Sequence, residues 1–158
     1  MNKIIRTGKI STFGGPGDHG VSRSEGLALI EPSDLADPWF KSLFLETTDK
    51  GLGLARRLNP AMYYIAARWN YFRTPRSMLR RTVCAVRANG REAIARPVDW
   101  GPHAYTGRVM DLSPGLAKYL GLKTDDKAEF ELMTPDKLPL AHIVKCPLCG
   151  RECECGDC

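Results

Sequence analysis

The stretch VDWGPHAYTGRVMDLSPGLAKYLG, residues 98–121, decides the fold that this chain is expected to adopt. It contains two aspartates, Asp99 and Asp111. Each ends a short apolar run and is followed within three residues by Gly-Pro or Ser-Pro. A strand that stops at a carboxylate and then turns sharply places that carboxylate at the rim of a sheet, where a substrate can reach it. The two aspartates are therefore the first candidates for chemistry.

Strand and turn patterns lie on both sides of this stretch. Residues 82–88 and 91–98 flank Asn89-Gly90, and Asn-Gly favours the two-residue turn of a β-hairpin. Ser113, followed by proline, predicts the N-cap of a short helix. Further strand patterns are found at residues 9–13, 27–30, 107–112 and 127–133.

The middle of the chain has a helical pattern instead. Apolar residues recur at helical spacing from Leu54 to Trp69, which predicts an amphipathic helical segment, either divided at Pro60 or with a second helix that begins there after Asn59. Six strands, a helix between the last two and a helical insertion at about residues 33–80 indicate a mainly β protein, a small barrel with inserted helices. We expect residues 1–136 to form this domain and residues 137–158 to form a Cys-rich tail.

Length and composition fit one globular domain with an appendage. The chain has 158 residues, of which 43% are apolar and 26% charged. No apolar run approaches the ~20 residues that span a bilayer, so no membrane span is expected. The first residues lack the apolar core of a signal peptide, which predicts a protein that is cytoplasmic as synthesised.

The net charge of +5 is concentrated in the middle of the chain. Residues 51–100 contain ten arginines, no lysine and only two acids, Glu92 and Asp99, for a local charge of +8. Such a basic segment suits nucleic acid, an anionic wall polymer or an acidic protein, and equally a solubilising surface. No nucleic-acid-binding motif is present, and the arginines alternate with apolar residues, which disfavours nucleic acid as the partner.

Five of the six cysteines lie in the last thirteen residues. Two C-x-x-C pairs, Cys146 with Cys149 and Cys155 with Cys158, could close a tetrahedral structural zinc site, with Cys153 as an alternate ligand. Disulfides or a metal-free thiol-rich tail are the alternatives, although no signal peptide indicates an oxidising compartment. Such a closed site would have no catalytic role.

The motifs DWGP at residues 99–102 and GRVMDLS at residues 107–113 resemble the signature of double-psi β-barrel proteins of the rare lipoprotein A and expansin type. In that family a helix with a Leu-Gly end follows, as it does here. The resemblance implies a six-stranded double-psi β-barrel whose functional residues would be Asp99 and Asp111, with Thr12 lining the same groove. The rare lipoprotein A branch cleaves peptidoglycan glycan strands as lytic transglycosylases, whereas expansins bind and loosen wall polymers without hydrolysis.

Glycan cleavage needs an acid that protonates the leaving oxygen, and often a second carboxylate that stabilises the cation. We expect one of Asp99 and Asp111 to be the acid and the other its electrostatic partner, with no catalytic cofactor. The competing structural role for Asp111 is to cap the helix after Ser113 or to pair with Arg108. The loop and aromatic residues that are candidates for substrate binding are Thr12, Asp18, His19, Trp100, His103 and Tyr105.

Three functions follow from these observations. The first is a lytic transglycosylase that acts on peptidoglycan or another wall polysaccharide, reaching it by a route such as that of bacteriophage lysis or virion proteins. The second is a non-catalytic wall-binding or virion structural module. It is favoured because the transglycosylase branch has a histidine after an Ala-Ala pair, and this chain has no histidine between Gly20 and Trp100. The third is a basic, zinc-bearing nucleic-acid binder.

Overall fold

Six strands close into a barrel in the computed structural model, which describes residues 4–133 of the chain. The strands are β1 (Ile5–Thr12), β2 (Tyr64–Ala67), β3 (Cys84–Ala88), β4 (Arg91–Trp100), β5 (Arg108–Leu112) and β6 (Lys127–Leu132). Their order around the barrel is β1-β5-β2-β4-β3-β6. The prediction of a mainly β fold built as a small barrel is confirmed.

Two of the strand pairs are parallel and the others are antiparallel. Strand β1 is parallel to β5, and β2 is parallel to β4. Strand β2 therefore lies between a parallel neighbour and an antiparallel one, β5. Because parallel neighbours need long crossover connections, the chain between them is free to cover the outside of the barrel.

The predicted hairpin and the predicted capped helix both form. Asn89 and Gly90 have φ values of 53° and 73°, as the primed turn between β3 and β4 requires. The Ser113 hydroxyl accepts a hydrogen bond of 3.2 Å from the backbone N–H of Leu116. The helices are α1 (Pro38–Lys41), α2 (Leu54–Arg57), α3 (Arg76–Leu79) and α4 (Pro114–Leu120), with 3-10 turns at Pro32–Ala36 and Ala104–Thr106.

The helical pattern predicted from Leu54 to Trp69 is wrong beyond Arg57, both before and after the possible division at Pro60. Only α2 is helical, and the chain then forms β2, which supplies a wall of the barrel. All four residues of β2 are buried, so its sequence is a continuous apolar run without the alternation of a half-exposed strand. Such a run cannot be told from a buried helix by its periodicity. The segment at about residues 33–80 is thus not a purely helical insertion.

The strand predicted at residues 27–30 does not form. Leu27, Leu29 and Ile30 are buried, as the apolar pattern indicates. However, the segment lies against the end of β4 without pairing as a strand, and Leu29 N–H donates to the carbonyl of Val98 at 3.2 Å. A short apolar run therefore covers the outer side of β4.

The core fills the inside of the barrel with alternate strand residues. Ile10, Met110 and Leu112 are fully buried, and so is Cys84, which packs here as a small hydrophobic residue. Burial raises the pKa of the Cys84 thiol, which therefore stays protonated. Among residues 4–133, no helix is long and apolar enough to cross a membrane.

Candidate functional site

The two aspartates of the opening stretch lie in one row across three adjacent strands. Asp99 on β4 and Asp111 on β5 are each the register partner of Ala66 on β2, which lies between them. Ser11 on β1 continues the row as the partner of Asp111. With neighbouring strands ~4.8 Å apart, the Cα atoms of the two aspartates are about 10 Å apart. The row forms one acidic site.

The acid row lies on the outer face of the barrel wall and not at a common rim, which corrects the sequence prediction. Strands β4 and β5 run in opposite directions, so their last residues point to opposite ends of the barrel. Met110 and Leu112 are buried in the core, and the side chain between them must point outward because strand residues alternate. The register with β2, and not the turns, therefore brings the carboxylates together.

A β-bulge sets the position of Asp99 in this row. Along the pair β2/β4, Ile65 is opposite Pro97 but Ala66 is opposite Asp99, so Val98 is an extra residue. Such a bulge re-aims the side chains that follow it and is common near functional sites. Without this one-residue shift, Asp99 would not lie on the face that carries Asp111.

The Asp99 carboxylate is held by two backbone donors. Its Oδ1 accepts hydrogen bonds from the N–H of Ala28 at 2.8 Å and from the N–H of Trp100 at 2.9 Å. Burial raises the pKa of Asp99, and these two donors oppose that rise. The Trp69 indole also donates to the Asp99 carbonyl at 2.9 Å. Asp99 is thus a fixed acceptor.

The surroundings of the Asp111 carboxyl differ from those of Asp99. Its Oδ1 is buried and has no hydrogen-bond partner among residues 4–133. Burial raises the pKa of Asp111 to about 6, with the negative charges of Asp99 and Asp18 adding to the rise and Arg108 opposing it. An isolated buried carboxylate oxygen is most stable when the group carries its proton. Asp111 therefore carries a proton that it could donate up to about pH 6.

Neither structural role expected for Asp111 is found. Helix α4 is capped by Ser113, whose hydroxyl accepts from Leu116. Arg108 makes its ion pair with Asp125 at 2.9 Å. Within the described part of the chain, the buried oxygen of Asp111 thus neither caps a helix nor forms an ion pair.

Asp18 is the third carboxylate near this row, and the glycine-rich loop after β1 holds it. Its Oδ2 accepts from the N–H of Gly14 at 2.7 Å, and its Oδ1 accepts from the N–H of Gly20 at 2.8 Å. Gly14 has a φ of 87°, and a Cβ there would lie 2.4 Å from the hydroxyl of Tyr64. Glycine is therefore required for this loop conformation.

The predicted aromatic residues lie together on the loop that follows β4. Trp100 is 38% exposed and Tyr105 is 87% exposed. His103 lies between them, with its ring centroid 5.7 Å from that of Trp100 and 5.6 Å from that of Tyr105. The Trp100 ring is thus partly open to solvent, and it directly follows Asp99.

The other predicted residues are less closely connected to the acid row. Thr12 is exposed at the end of β1 and is the register partner of Leu112, so Ser11 and not Thr12 lies in the row. His19 is exposed in the turn after Asp18. The proposed zinc ligands Cys146, Cys149, Cys155 and Cys158 and the whole tail lie outside the described residues. Among residues 4–133, no group of three or more His, Cys, Asp or Glu side chains could hold a metal ion.

Sequence reasoning missed several residues of the site because it assigned β2 to a helix. Ala66 separates the two aspartates, and Arg68 donates to the carbonyls of Pro102 at 2.6 Å and Arg108 at 2.8 Å. Tyr71 and Phe72 follow on an exposed turn. The signs of a strand that the sequence did offer were Tyr64 and Ile65 at the start of β2 and Asn70 after it.

The acid row and the loops around it are the features from which a function can be inferred. The closed six-stranded barrel is compatible with the barrel fold that the motif predicts. No protein-family model and no curated protein matches the chain.

Proposed function

We propose that this protein cleaves the glycan strands of peptidoglycan as a lytic transglycosylase, with Asp111 as the acid. The observation that carries the proposal is the buried Oδ1 of Asp111, which has no partner among residues 4–133 and belongs to a carboxyl with a pKa of about 6. A carboxyl that keeps its proton up to about pH 6, beside a second, fixed carboxylate, is the arrangement that glycoside cleavage needs.

In the proposed reaction, Asp111 gives its proton to the glycosidic oxygen while the bond between that oxygen and the anomeric carbon breaks. The C6 hydroxyl of the same sugar attacks the anomeric carbon and forms an internal anhydro ring. Its proton passes to the Asp111 carboxylate, which restores the acid. No water is consumed, so one group that donates and then accepts a proton suffices.

Asp99 has a different task in this reaction. Its carboxylate is fixed by the Ala28 and Trp100 N–H groups, so it cannot rotate to follow a proton. A fixed negative charge across Ala66 from the acid would stabilise the oxocarbenium-like charge that develops on the sugar. It also disfavours ionisation of Asp111 before the substrate binds.

The fold supports kinship with the double-psi barrels of the rare lipoprotein A and expansin type. A closed barrel of six strands with two parallel pairs, β1/β5 and β2/β4, is compatible with two interlocked crossovers. Arg68 follows the Ala66-Ala67 pair, where the transglycosylase branch would have its histidine. Arginine does not release its proton in proteins, so the proton transfers of our proposal are assigned to Asp111 alone.

The proposal is tested by incubating the full chain with purified sacculi and analysing the soluble products by mass spectrometry. We expect anhydro-sugar products from the parent, and a loss of at least about 100-fold for Asp111→Asn, since general acid catalysis contributes about 10²–10⁴-fold. Asp49→Asn, which removes an exposed acid paired with Arg23, is the matched control. Absence of products from the parent, or unchanged release by Asp111→Asn, would refute the proposal.

A non-catalytic wall-binding or virion module is the second candidate. The exposed Trp100 and Tyr105 rings favour it, because they suit sugar binding whether or not cleavage follows. Retention of the parent on sacculi without any product would identify this function. Both candidates imply action at a cell wall or in a virion, whereas the chain itself would be synthesised in the cytoplasm.

Nucleic-acid binding is less well supported by the arginines. Most of those in residues 51–100 donate to backbone carbonyls or carboxylates of the fold, so their guanidinium groups are already committed. These arginines are Arg56, Arg68, Arg76, Arg80, Arg81, Arg87, Arg91 and Arg96. Nucleic-acid binding would be supported if the protein bound DNA or RNA with an affinity that falls steeply as salt is added.

A further inference from the structure

Two neighbouring loops expose an unusual number of aromatic side chains. Phe72 is 101% exposed and Tyr71 is 41% exposed on the turn that follows β2. Tyr105, on the loop that follows β4, is 87% exposed, and Trp100, the last residue of β4, is 38% exposed. Scattered exposed apolar residues are normal on a protein surface, but a group on adjoining loops indicates a binding surface.

Hydrogen bonds fasten the two loops to each other. Gly101 N–H donates to the carbonyl of Ala67 at 3.2 Å, and the Trp100 indole donates to the carbonyl of Trp69 at 3.3 Å. The Arg68 guanidinium adds a bond to the carbonyl of Pro102. The bases of the two loops are therefore joined, next to the last residues of β2 and β4.

The rings of the second loop are already ordered. His103 and Tyr105 are stacked, with ring planes 10° apart, and Trp100 meets His103 edge to face at 67°. Rings that are fixed before binding lose little conformational freedom when a ligand packs on them. Such an arrangement suits a ligand that is built of rigid rings.

The surface is continuous with the acid row on the side of Asp99. Trp100 directly follows Asp99 and donates its backbone N–H to that carboxylate. Trp69, at the start of the other loop, donates its indole N–H to the Asp99 carbonyl. A polymer held between the carboxylates of Asp99 and Asp111 would thus extend onto these rings as it leaves the row.

We propose that Tyr71, Phe72, Trp100, His103 and Tyr105, the aromatic platform, bind the sugar rings of a glycan strand beyond the cleavage point on the Asp99 side. The inference rests on the proposed function and adds the direction in which the strand lies. Pyranose rings of β-linked N-acetylhexosamines expose apolar C–H faces that pack on aromatic rings. Arg73, exposed on the same turn, would meet the carboxylates that peptidoglycan strands carry.

The test measures binding separately from cleavage, in the Asp111→Asn background of the full chain. Phe72→Ala, Tyr105→Ala and the double variant are titrated onto insoluble sacculi, and onto a soluble N-acetylglucosamine hexamer. Because both side chains are so exposed, these changes should leave the fold intact, which thermal unfolding checks. Tyr119→Ala, which removes a tyrosine that is 42% exposed on α4, is the matched control.

We expect each single variant to weaken binding about fivefold and the double variant at least tenfold, with Tyr119→Ala unchanged. Equal binding by the double variant and the control would overturn the platform. A change from dimer to monomer in the double variant, without loss of sugar binding, would also overturn it and identify a self-association surface. Failure of the proposed cleavage gives a different result from failure of the platform. In that case the parent would release no product, but binding would still depend on the platform residues.

Discussion

Asp99 and Asp111 lie on opposite sides of the same strand, each directly opposite Ala66. The residue between them contributes only a methyl group, so no side chain of β2 separates the two carboxylates. Their surroundings differ sharply: Asp99 accepts two backbone hydrogen bonds, whereas the buried oxygen of Asp111 has no partner within residues 4–133. The difference supports our proposal that Asp111, and not Asp99, is the acid, a choice that the sequence alone left open.

The first prediction is that Asp111→Asn stabilises the protein while it abolishes cleavage. The amide has the shape of the protonated acid and cannot ionise, so the penalty for a buried charge disappears. We expect a free energy of unfolding about 1–3 kcal/mol higher than that of the parent at pH 7.5, and little difference at pH 4. Denaturant titrations at the two pH values measure this, and equal destabilisation at both would reveal a structural role instead.

The second prediction concerns pH. The pKa of Asp111 is about 6 in the folded protein and ~3.9 in an unfolded chain, so the folded state holds the extra proton between these values. The contribution of Asp111 to the free energy of unfolding should therefore be most favourable below about pH 4. It should decrease by at most about 3 kcal/mol as the pH rises to 6 and beyond. Burial is the main cause of the raised pKa of Asp111, which Arg108 lowers and which Asp99 and Asp18 raise further.

Cleavage should follow the same titration, because the acid must be protonated to act. We expect kcat/KM to fall about tenfold per pH unit above about pH 6. Asp18→Asn removes one negative charge near Asp111 and should move this fall to lower pH, whereas Asp49→Asn should not. A pH profile that is the same in all three proteins would show that Asp111 is not the group that titrates.

The parts of the fold that could be predicted from sequence are those with local signals. Asn89-Gly90 specifies its turn through backbone conformation, and Ser113 specifies the start of α4 through its hydroxyl. Strand β2 was not assigned, because Tyr64–Ala67 is fully buried and carries no alternation. Its place in the barrel depends on pairing with β4 and β5, which are distant in sequence.

For the candidate site, the sequence predicted the two aspartates but not how they are arranged. The motif identified Asp99 and Asp111 as a pair, but the sequence placed them at a rim through their turns. Their shared face depends instead on the extra residue Val98 and on the register with Ala66, and a register cannot be read from one strand alone. Ser11 and Phe72 were missed for the same reason, because their positions follow from pairing and loop contacts.

The third prediction concerns the tail, which remains a sequence inference. We expect the purified full chain to hold about one zinc ion, measured by elemental analysis, with Cys146, Cys149, Cys155 and Cys158 as the ligands. Changing Cys146 and Cys149 together to serine should remove the metal without affecting cleavage by the barrel. Full zinc retention in that variant, or a parallel loss of activity with the metal, would contradict a structural zinc site.

The fourth prediction uses two glycines of one loop. Gly14→Ala puts a Cβ 2.4 Å from the Tyr64 hydroxyl at a φ of 87°, whereas a Cβ at Gly17 has nothing within 4 Å. We expect Gly14→Ala to lower the free energy of unfolding by about 1–3 kcal/mol and to weaken cleavage, because the Gly14 N–H that holds Asp18 moves. Gly17→Ala should change neither quantity by a measurable amount.

Adding Tyr64→Phe to Gly14→Ala separates the steric clash from the strained backbone. The phenol oxygen is the nearest atom to the added Cβ, so its removal should restore part of the lost stability. Tyr64→Phe alone should destabilise, since the hydroxyl donates to the Phe13 carbonyl at 2.9 Å. The double-mutant cycle should therefore show a favourable coupling between the two changes. Additive effects would mean that backbone strain at Gly14, and not contact with Tyr64, sets the conformation of the loop that holds Asp18.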